Sequence, residues 1–502
     1  MSRRPERSRT QAVPQRPFGQ VPRHLGPVQA ISDDQVEAIH QAALKVLAET
    51  GMRVLEDGAR KRYHDAGARL DGLMVRLDPA MVEERLKTVP ASFTLSARNP
   101  LYNLRFGGRD TVYASVGGPA YVMDLAGGRR EGSLAEMEDY LRLVQVLNVI
   151  HQEGGGPFEP MDLPAHTRHL DIYAAQIRLL DKNWQTQTLG RRRTLDGLEA
   201  ASIGMGQSLD MMRDNPVLLG IINTNSPLQL DIPMAEGLVT MAEHGQVNVI
   251  TPFTLSGAMA PVSLAGALVL QHAEALAGIV LTQIVRPGVP VMYGGFTSNV
   301  DMLSGSPAFG TPEYSICSMA SGQLARRVGV PFRSSNVTSA NAVDAQAAYE
   351  SMMSLWGVTM GGAHLVEHAA GWMHGGLTAS FEKLVLDAEM LQMLQAMQQP
   401  VSTDPQELAL QAIAEVGPGG HFFGTSHTLE RYRDAFHRPL LSDWTAHEAW
   451  KAGGALRTVE RAAALWPKLL AEYQEPKLPE DRAEELAAFV ARRKAEGGAP
   501  MN

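Results

Sequence analysis

One cysteine, Cys317, stands in a chain of 502 residues. A single thiol cannot form a disulfide within the chain, so nothing here points to an oxidising compartment. A basic surplus is missing as well. Lys and Arg number 45 against 54 Asp and Glu, for a net charge of −9. That balance gives no reason to expect nucleic acid or an anionic membrane as partner. The N-terminus, MSRRPERSRTQAVPQRPFGQVPRHLGP, has no apolar core, so Arg3-Arg4 makes a poor secretion signal. Residues 1–30 are expected to be a solvated tail and the protein to be cytoplasmic. The most apolar stretch, Leu255 to Val285, is interrupted by Gln271, His272 and Glu274, which argues for a buried helix and against a membrane span.

What the chain does have is a rhythm. Short apolar runs at Val289–Tyr293, Val330–Phe332 and His364–His368 each end in Gly, Ser, Asn or Ala and are separated by helical runs at Glu313–Val328 and Ala342–Met360. The same alternation runs back through strands at Asn148–Gln152, Asn183–Thr188, Val217–Ile222 and Val247–Thr251. Helices of that length suit crossovers between parallel strands. The reading is a TIM (β/α)8 barrel at 133–440, after a tail at 1–30 and an N-terminal α+β region at 31–132. A C-terminal helical extension follows at 441–502. Seven strands fit the rhythm; the eighth comes from near His421-Phe422-Phe423 or from the N-terminal region. Ser32 with Gln35, and Ser133 with Glu136, form capping boxes that open helices. Asp71-Gly72-Leu73 reads as a hairpin turn. Asp443–Leu470 and Glu480–Glu496 read as amphipathic helices packed on the outside or on a partner subunit.

A barrel gathers its chemistry at the C-terminal ends of its strands. Phe253, Tyr293, Phe296, Phe309, Tyr314 and Trp372 stand there or in the following loops, with Asn223, Ser335 and Asn336 as uncharged hydrogen-bonding groups. Arg333 could meet a carboxylate. His364-Leu365-Val366-Glu367-His368 matches the H-x-x-E-H pattern of zinc peptidases, which needs both histidines on one helix face. Here the pattern falls on a strand, which sends Glu367 opposite to its histidines. Glu367, His368 and His374 are expected to bind substrate, and no metal is assigned to them. Glu350 reads either as a site acid or as a buried structural one.

Several blocks also carry a resemblance. They are SFTLSARNP (Ser92–Pro100), GGPAYVMD, SPLQLD, LSGAMAPVSLAGALVLQHAEALAGIVL, FGTPE, DAQAAYE, GGLTASFEKLVLDAEM and EVGPGGHFFGTSHT. Together, from about Gln35 to Trp450, the chain resembles the trimethylamine methyltransferase family. The resemblance implies a TIM barrel that takes a methyl group from a methylated amine and passes it to the Co(I) corrinoid of a separate partner protein. Founding members carry pyrrolysine in a loop corresponding to Thr338-Ser339-Ala340-Asn341, where this chain has standard residues. The implied substrate is therefore a quaternary, betaine-like amine such as glycine betaine. No catalytic nucleophile is implied. Substrate contacts are expected from Phe253, Phe296, Tyr314, Asn223, Asn336, Glu367, His368, Trp372 and His374, and corrinoid contacts from Glu313 and His421. No tightly bound cofactor is expected, and a homo-oligomer is possible.

Overall fold

The computed structural model describes residues 13–500. Six strands pair in parallel, in the spatial order Leu219–Thr224, Val247–Ser256, Val291–Gly294, Phe332–Ser335, Leu365–Ala370 and Val112–Ser115. Single parallel bridges then run from Ala114 to Gln152, from Gln152 to Asn183 and from Gln185 to Leu219. The pairings thus return to their starting strand, and six strands with two short extended segments make a closed ring. All seven runs read from the rhythm lie in it. The eighth place is taken by Val112–Ser115, and His421–Phe423 forms no strand.

Helices cross between the ring's members, as the spacing requires. Leu264–Val285 and Phe381–Met397 are two of the chain's helices. The first is long and apolar enough to cross a membrane, yet it is largely buried, with Gln271, His272 and Glu274 fully enclosed. Both capping boxes are formed, and the strands Arg69–Asp71 and Met74–Arg76 pair as the hairpin. The expected helix at 443–470 is two, His447–Ala452 and Thr458–Ala471, because Gly453-Gly454 and the positive φ of Ala455 (52°) break it. The second packs on Phe381–Met397, where Trp466 Nε1 donates to Glu382 at 3.2 Å. Glu480–Ala495 packs over two ring helices and sets Arg493 against buried Asp196 at 2.7 Å.

From Val13 onward the expected tail is held to the body. Val13 N–H donates to Glu472, and buried Arg23 donates to Thr111 and to the carbonyls of Ala363 and Gly108. A guanidinium can satisfy several carbonyls at once, so an Arg- and Pro-rich segment need not stay solvated. Residues 1–12 of that expected tail lie outside the described residues.

The two ends of the ring differ. At the strand starts, the hairpin Phe93–Leu95 with Leu104–Phe106 inserts Leu95, Leu104 and Phe106 among Val112, Leu219, Val247, Met292 and Leu365, forming an apolar floor. At the strand ends, Val247–Ser256 continues past the ring and pairs with Phe296–Val300. Beside it, Trp372–Met373, Thr378–Ser380, Tyr121–Asp124 and Gly128–Arg130 form a small sheet at the rim. The side chains between floor and rim define the lumen.

Candidate active site

Side chains at alternate positions of the ring strands share a face. Ala114, Leu219, Val249 and Leu365 are in the apolar cluster of the floor. Residues in register with them therefore also face inward. Gln152 pairs Ala114, Gln185 pairs Leu219, and Arg333 pairs Leu365. One step up, Ser335 pairs Glu367. The lumen above the floor is thus polar, and its side chains are enclosed: Gln152, Gln185, Ser335 and Glu367 are 0–1% exposed and Arg333 is 2%.

Glu367 Oε2 accepts from Gln185 Nε2 at 2.8 Å, while Oε1 has no partner. Arg333 is stranger still, because among the described residues Nε and Nη1 have no partner and no ion pair holds the guanidinium. Its Cζ lies 5.7 Å from the centre of the Phe296 ring. Burial pushes the guanidinium down from its usual range, and nearby Glu367 partly offsets that. Burial pushes the Glu367 carboxyl up, with Arg333 and the Gln185 hydrogen bond pulling against it. A second carboxyl, Glu153, is pushed up to about 7 by burial, although Gly155 N–H, Gly156 N–H and Gln176 all donate to it.

Over this lumen stands a cluster of rings. Phe253 and Phe296 are 5.1 Å apart, Phe296 and Phe309 5.9 Å, and Phe309 and Trp372 5.2 Å. Trp372 is also stacked on His368 at 5.6 Å. Strand geometry alone would send His368 away from Glu367. However, the ladder slips between Val366 and Ala370, and His368 takes a positive φ of 52°. This bulge turns the imidazole toward Trp372, where Nδ1 accepts from Gly117 N–H at 3.4 Å. Burial, with Arg333 near, pushes the ring down to about 3, so it is neutral at pH 7.

The other candidates are placed as follows. Asn223 is exposed at its strand end, in register with Thr251. Tyr314 touches Phe296 at 5.9 Å, but its hydroxyl is engaged, donating to Ser335 O at 2.6 Å and accepting from Ser335 N–H. Asn336 is a buried tie between strands: Nδ2 donates to Ala369 O and its backbone N–H donates to Glu367 O. Tyr293 points into the helix layer, where its hydroxyl meets Gln271 and His272. His374 does not join Glu367 and His368. The Gly375-Gly376 turn carries its ring to Thr378 Oγ1 at 2.8 Å and Asn341 O at 3.1 Å. Among the described residues no group of three or more His, Cys, Asp or Glu is arranged to hold a metal. Glu313 is half-buried in the first turn of Pro312–Arg327, and His421 is exposed against Phe423 at 5.9 Å. Glu350 is structural: it accepts from Thr338, from Ser339 N–H at 2.8 Å and from Ala340 N–H at 3.0 Å, fixing the 338–341 loop. Its approach requires Gly310, where a Cβ would lie 2.3 Å from that of Glu350. Gln185 and Gln152 were not singled out from the sequence. For Gln185 the only signal is parity with Asn183 along its segment, and Gln152 carries none.

Comparison with known proteins adds the rest. The profile described as "Trimethylamine methyltransferase (MTTB)" matches residues 1–498. A glycine betaine methyltransferase of Desulfitobacterium hafniense (strain Y51) is 38% identical over 469 residues, covering 93% of this chain and 98% of that one. The chain belongs to the trimethylamine methyltransferase family. Within that family, the trimethylamine methyltransferase MttB of D. hafniense (strain DSM 10664 / DCB-2) is 27% identical over 476 residues, covering 93% of this chain and 94% of that one. The crystal structure of a hydroxylamine MtmB complex shares the fold, with a TM-score of 0.50 at 9% identity over 94% of this chain and 90% of that one. The family is that of a methylamine methyltransferase, and the mixed α/β ring agrees with that structural likeness.

Proposed function

We propose that this chain is a (β/α)8-barrel enzyme that removes a methyl group from a quaternary, betaine-like amine and passes it to the Co(I) corrinoid of a partner protein. The observation that carries the reading is the ring cluster of Phe253, Phe296, Phe309 and Trp372 directly over an enclosed, unpaired Arg333. Aromatic faces hold a quaternary ammonium with about 0.5–2 kcal/mol each. A bare guanidinium beside them would repel a simple cation but suits a molecule that also carries a carboxylate. The relative that acts on glycine betaine supports the same substrate class.

The residues need little acid–base capacity for this. When the C–N bond breaks, its electron pair stays on nitrogen and a neutral tertiary amine leaves, so no proton has to be delivered. The reduced corrinoid supplies the nucleophile that accepts the methyl group. The protein orients the ammonium, neutralises the carboxylate and keeps water away. Cys317 lies buried in the Pro312–Arg327 helix, away from the rim aromatics. The 338–341 loop, fixed by Glu350 and His374, shapes the rim.

The test is spectroscopic. Purified protein, a Co(I) corrinoid protein and glycine betaine should give loss of the Co(I) absorbance and appearance of methyl-cobalt. Trimethylamine should give none. Ring-cluster ligands that bind without any methylation would leave a binding protein instead of an enzyme, and methylation from trimethylamine alone would overturn the substrate class.

A further inference from the structure

Glu367 lies deeper than a cation held by the rim rings requires. It is 0% exposed, Oε2 is engaged by Gln185 at 2.8 Å, and Oε1 has no partner. Its neighbours in the ring share the condition. Ser335, paired in register with Glu367, has an unpartnered Oγ. Gln152, across Ala114, has neither end of its amide engaged. By contrast, Glu153 and Glu350 are buried carboxyls with both oxygens engaged. Among the wholly enclosed carboxyls of the described residues, Glu367 alone keeps an open acceptor.

Burial pushes the Glu367 carboxyl up, while Arg333 and the Gln185 amide pull it toward its ionised form. An ionised carboxylate only accepts hydrogen bonds. A quaternary ammonium has no N–H to donate, and a carboxylate tail has none either. Glycine betaine can thus fill the ring cluster and meet Arg333 while leaving Glu367 Oε1 as it is. A buried acceptor left so is costly.

We propose that the preferred substrate is a betaine carrying a hydrogen-bond donor, a hydroxyl or an N–H, on the carbon chain between or beyond its ammonium and carboxylate, and that this donor binds Glu367 Oε1 with Ser335 Oγ beside it. The proposal rests on the quaternary-amine reading above and narrows it. Glu367 becomes a specificity-determining residue: it selects among betaines and takes no part in breaking the C–N bond. A site built to bond a hydroxyl discriminates strongly against the analogue that lacks it, because its own polar groups are then left unpaired.

Calorimetric titration with matched pairs tests this without corrinoid. One pair is N,N,N-trimethylserine and N,N,N-trimethylalanine; a longer pair is 4-trimethylammoniobutanoate with and without a 3-hydroxyl. In at least one pair the hydroxylated member should bind wild-type protein tenfold or more tightly, on the order of a charged hydrogen bond. Glu367→Gln should reduce that preference to about threefold or less. Equal affinity within both pairs in the wild type overturns the proposal and leaves the quaternary-amine reading standing. Failure to bind any of the four overturns the proposal, and failure to bind glycine betaine as well overturns both. The wild-type comparison needs no variant, so a Glu367→Gln protein that fails to fold would not blunt it.

Discussion

Among the buried sets of opposite charge in this protein, two are arranged in opposite ways. Lys383 and Asp387 lie 0% exposed in one helix. Lys383 Nζ reaches Asp387 at 2.5 Å and Ser351 at 2.7 Å, and the other Asp387 oxygen accepts from Gly371 N–H at 2.8 Å. Arg333 and Glu367, just as enclosed, form no ion pair and keep unpartnered atoms. The first set is complete within the chain and fixes the turn before Trp372. The second is left incomplete by the described residues. Burial alone therefore does not mark a site; burial with unspent hydrogen-bonding capacity does.

The sharpest way to break this contrast is to remove one member of each set. Asp387→Asn strands a buried ammonium and should destabilise the fold by about 3–5 kcal/mol, read by chemical denaturation. The double variant Lys383→Met with Asp387→Leu should recover much of that. Loss of stability in the lumen set of similar size would erase the distinction.

A pH titration of stability comes next. Glu153 has a folded pKa of about 7 against an ordinary 4.5, and burial is the main cause. The folded state then holds a proton that the unfolded state has released, so stability is greatest below about 4.5 and falls as pH rises to about 7. The loss amounts to about 3 kcal/mol at 1.36 kcal/mol per unit. Glu153→Gln should flatten that window, and an unchanged slope would show that Glu153 is not the group responsible.

Trp372→Leu probes the roof. It should weaken binding of a quaternary ammonium by about 0.5–2 kcal/mol relative to a neutral tert-butyl isostere, measured by titration calorimetry. Equal loss for both ligands would reduce Trp372 to a packing group.

The smallest effect is expected from Glu367→Gln on stability, less than about 1 kcal/mol, since Gln keeps an acceptor for the Gln185 amide and no ion pair is lost. A drop as large as that of Asp387→Asn would move Glu367 into the structural set.

The ring was readable from the sequence because parallel strands joined by helices leave two periodicities that do not depend on tertiary detail. The site was readable in part. Phe253, Phe296, Trp372 and Glu367 stand at strand ends, and position along a strand is a local property. What was missed depends on the ring's register. Gln185 and Gln152 face inward because they themselves pair with Leu219 and Ala114. The extension Phe296–Val300 follows Gly294-Gly295, which reads as a stop, yet the chain resumes pairing beside Phe253–Ser256. His374 was placed with Glu367 on proximity in sequence, and two glycines turn it away. Asn336 was assigned to substrate because an amide at a strand end looks available, whereas the structure engages it between strands.

The apolar floor has a kinetic meaning. With Leu95, Leu104 and Phe106 closing the far end of the lumen, the proposed reaction would bring donor and acceptor of the methyl group through a single doorway. An amine has to be inside before a macromolecular acceptor covers the rim, and the shortened amine can depart only after that acceptor withdraws. Steady-state kinetics should therefore follow a compulsory order with the amine first on and last off, and excess acceptor should inhibit by occupying the empty doorway.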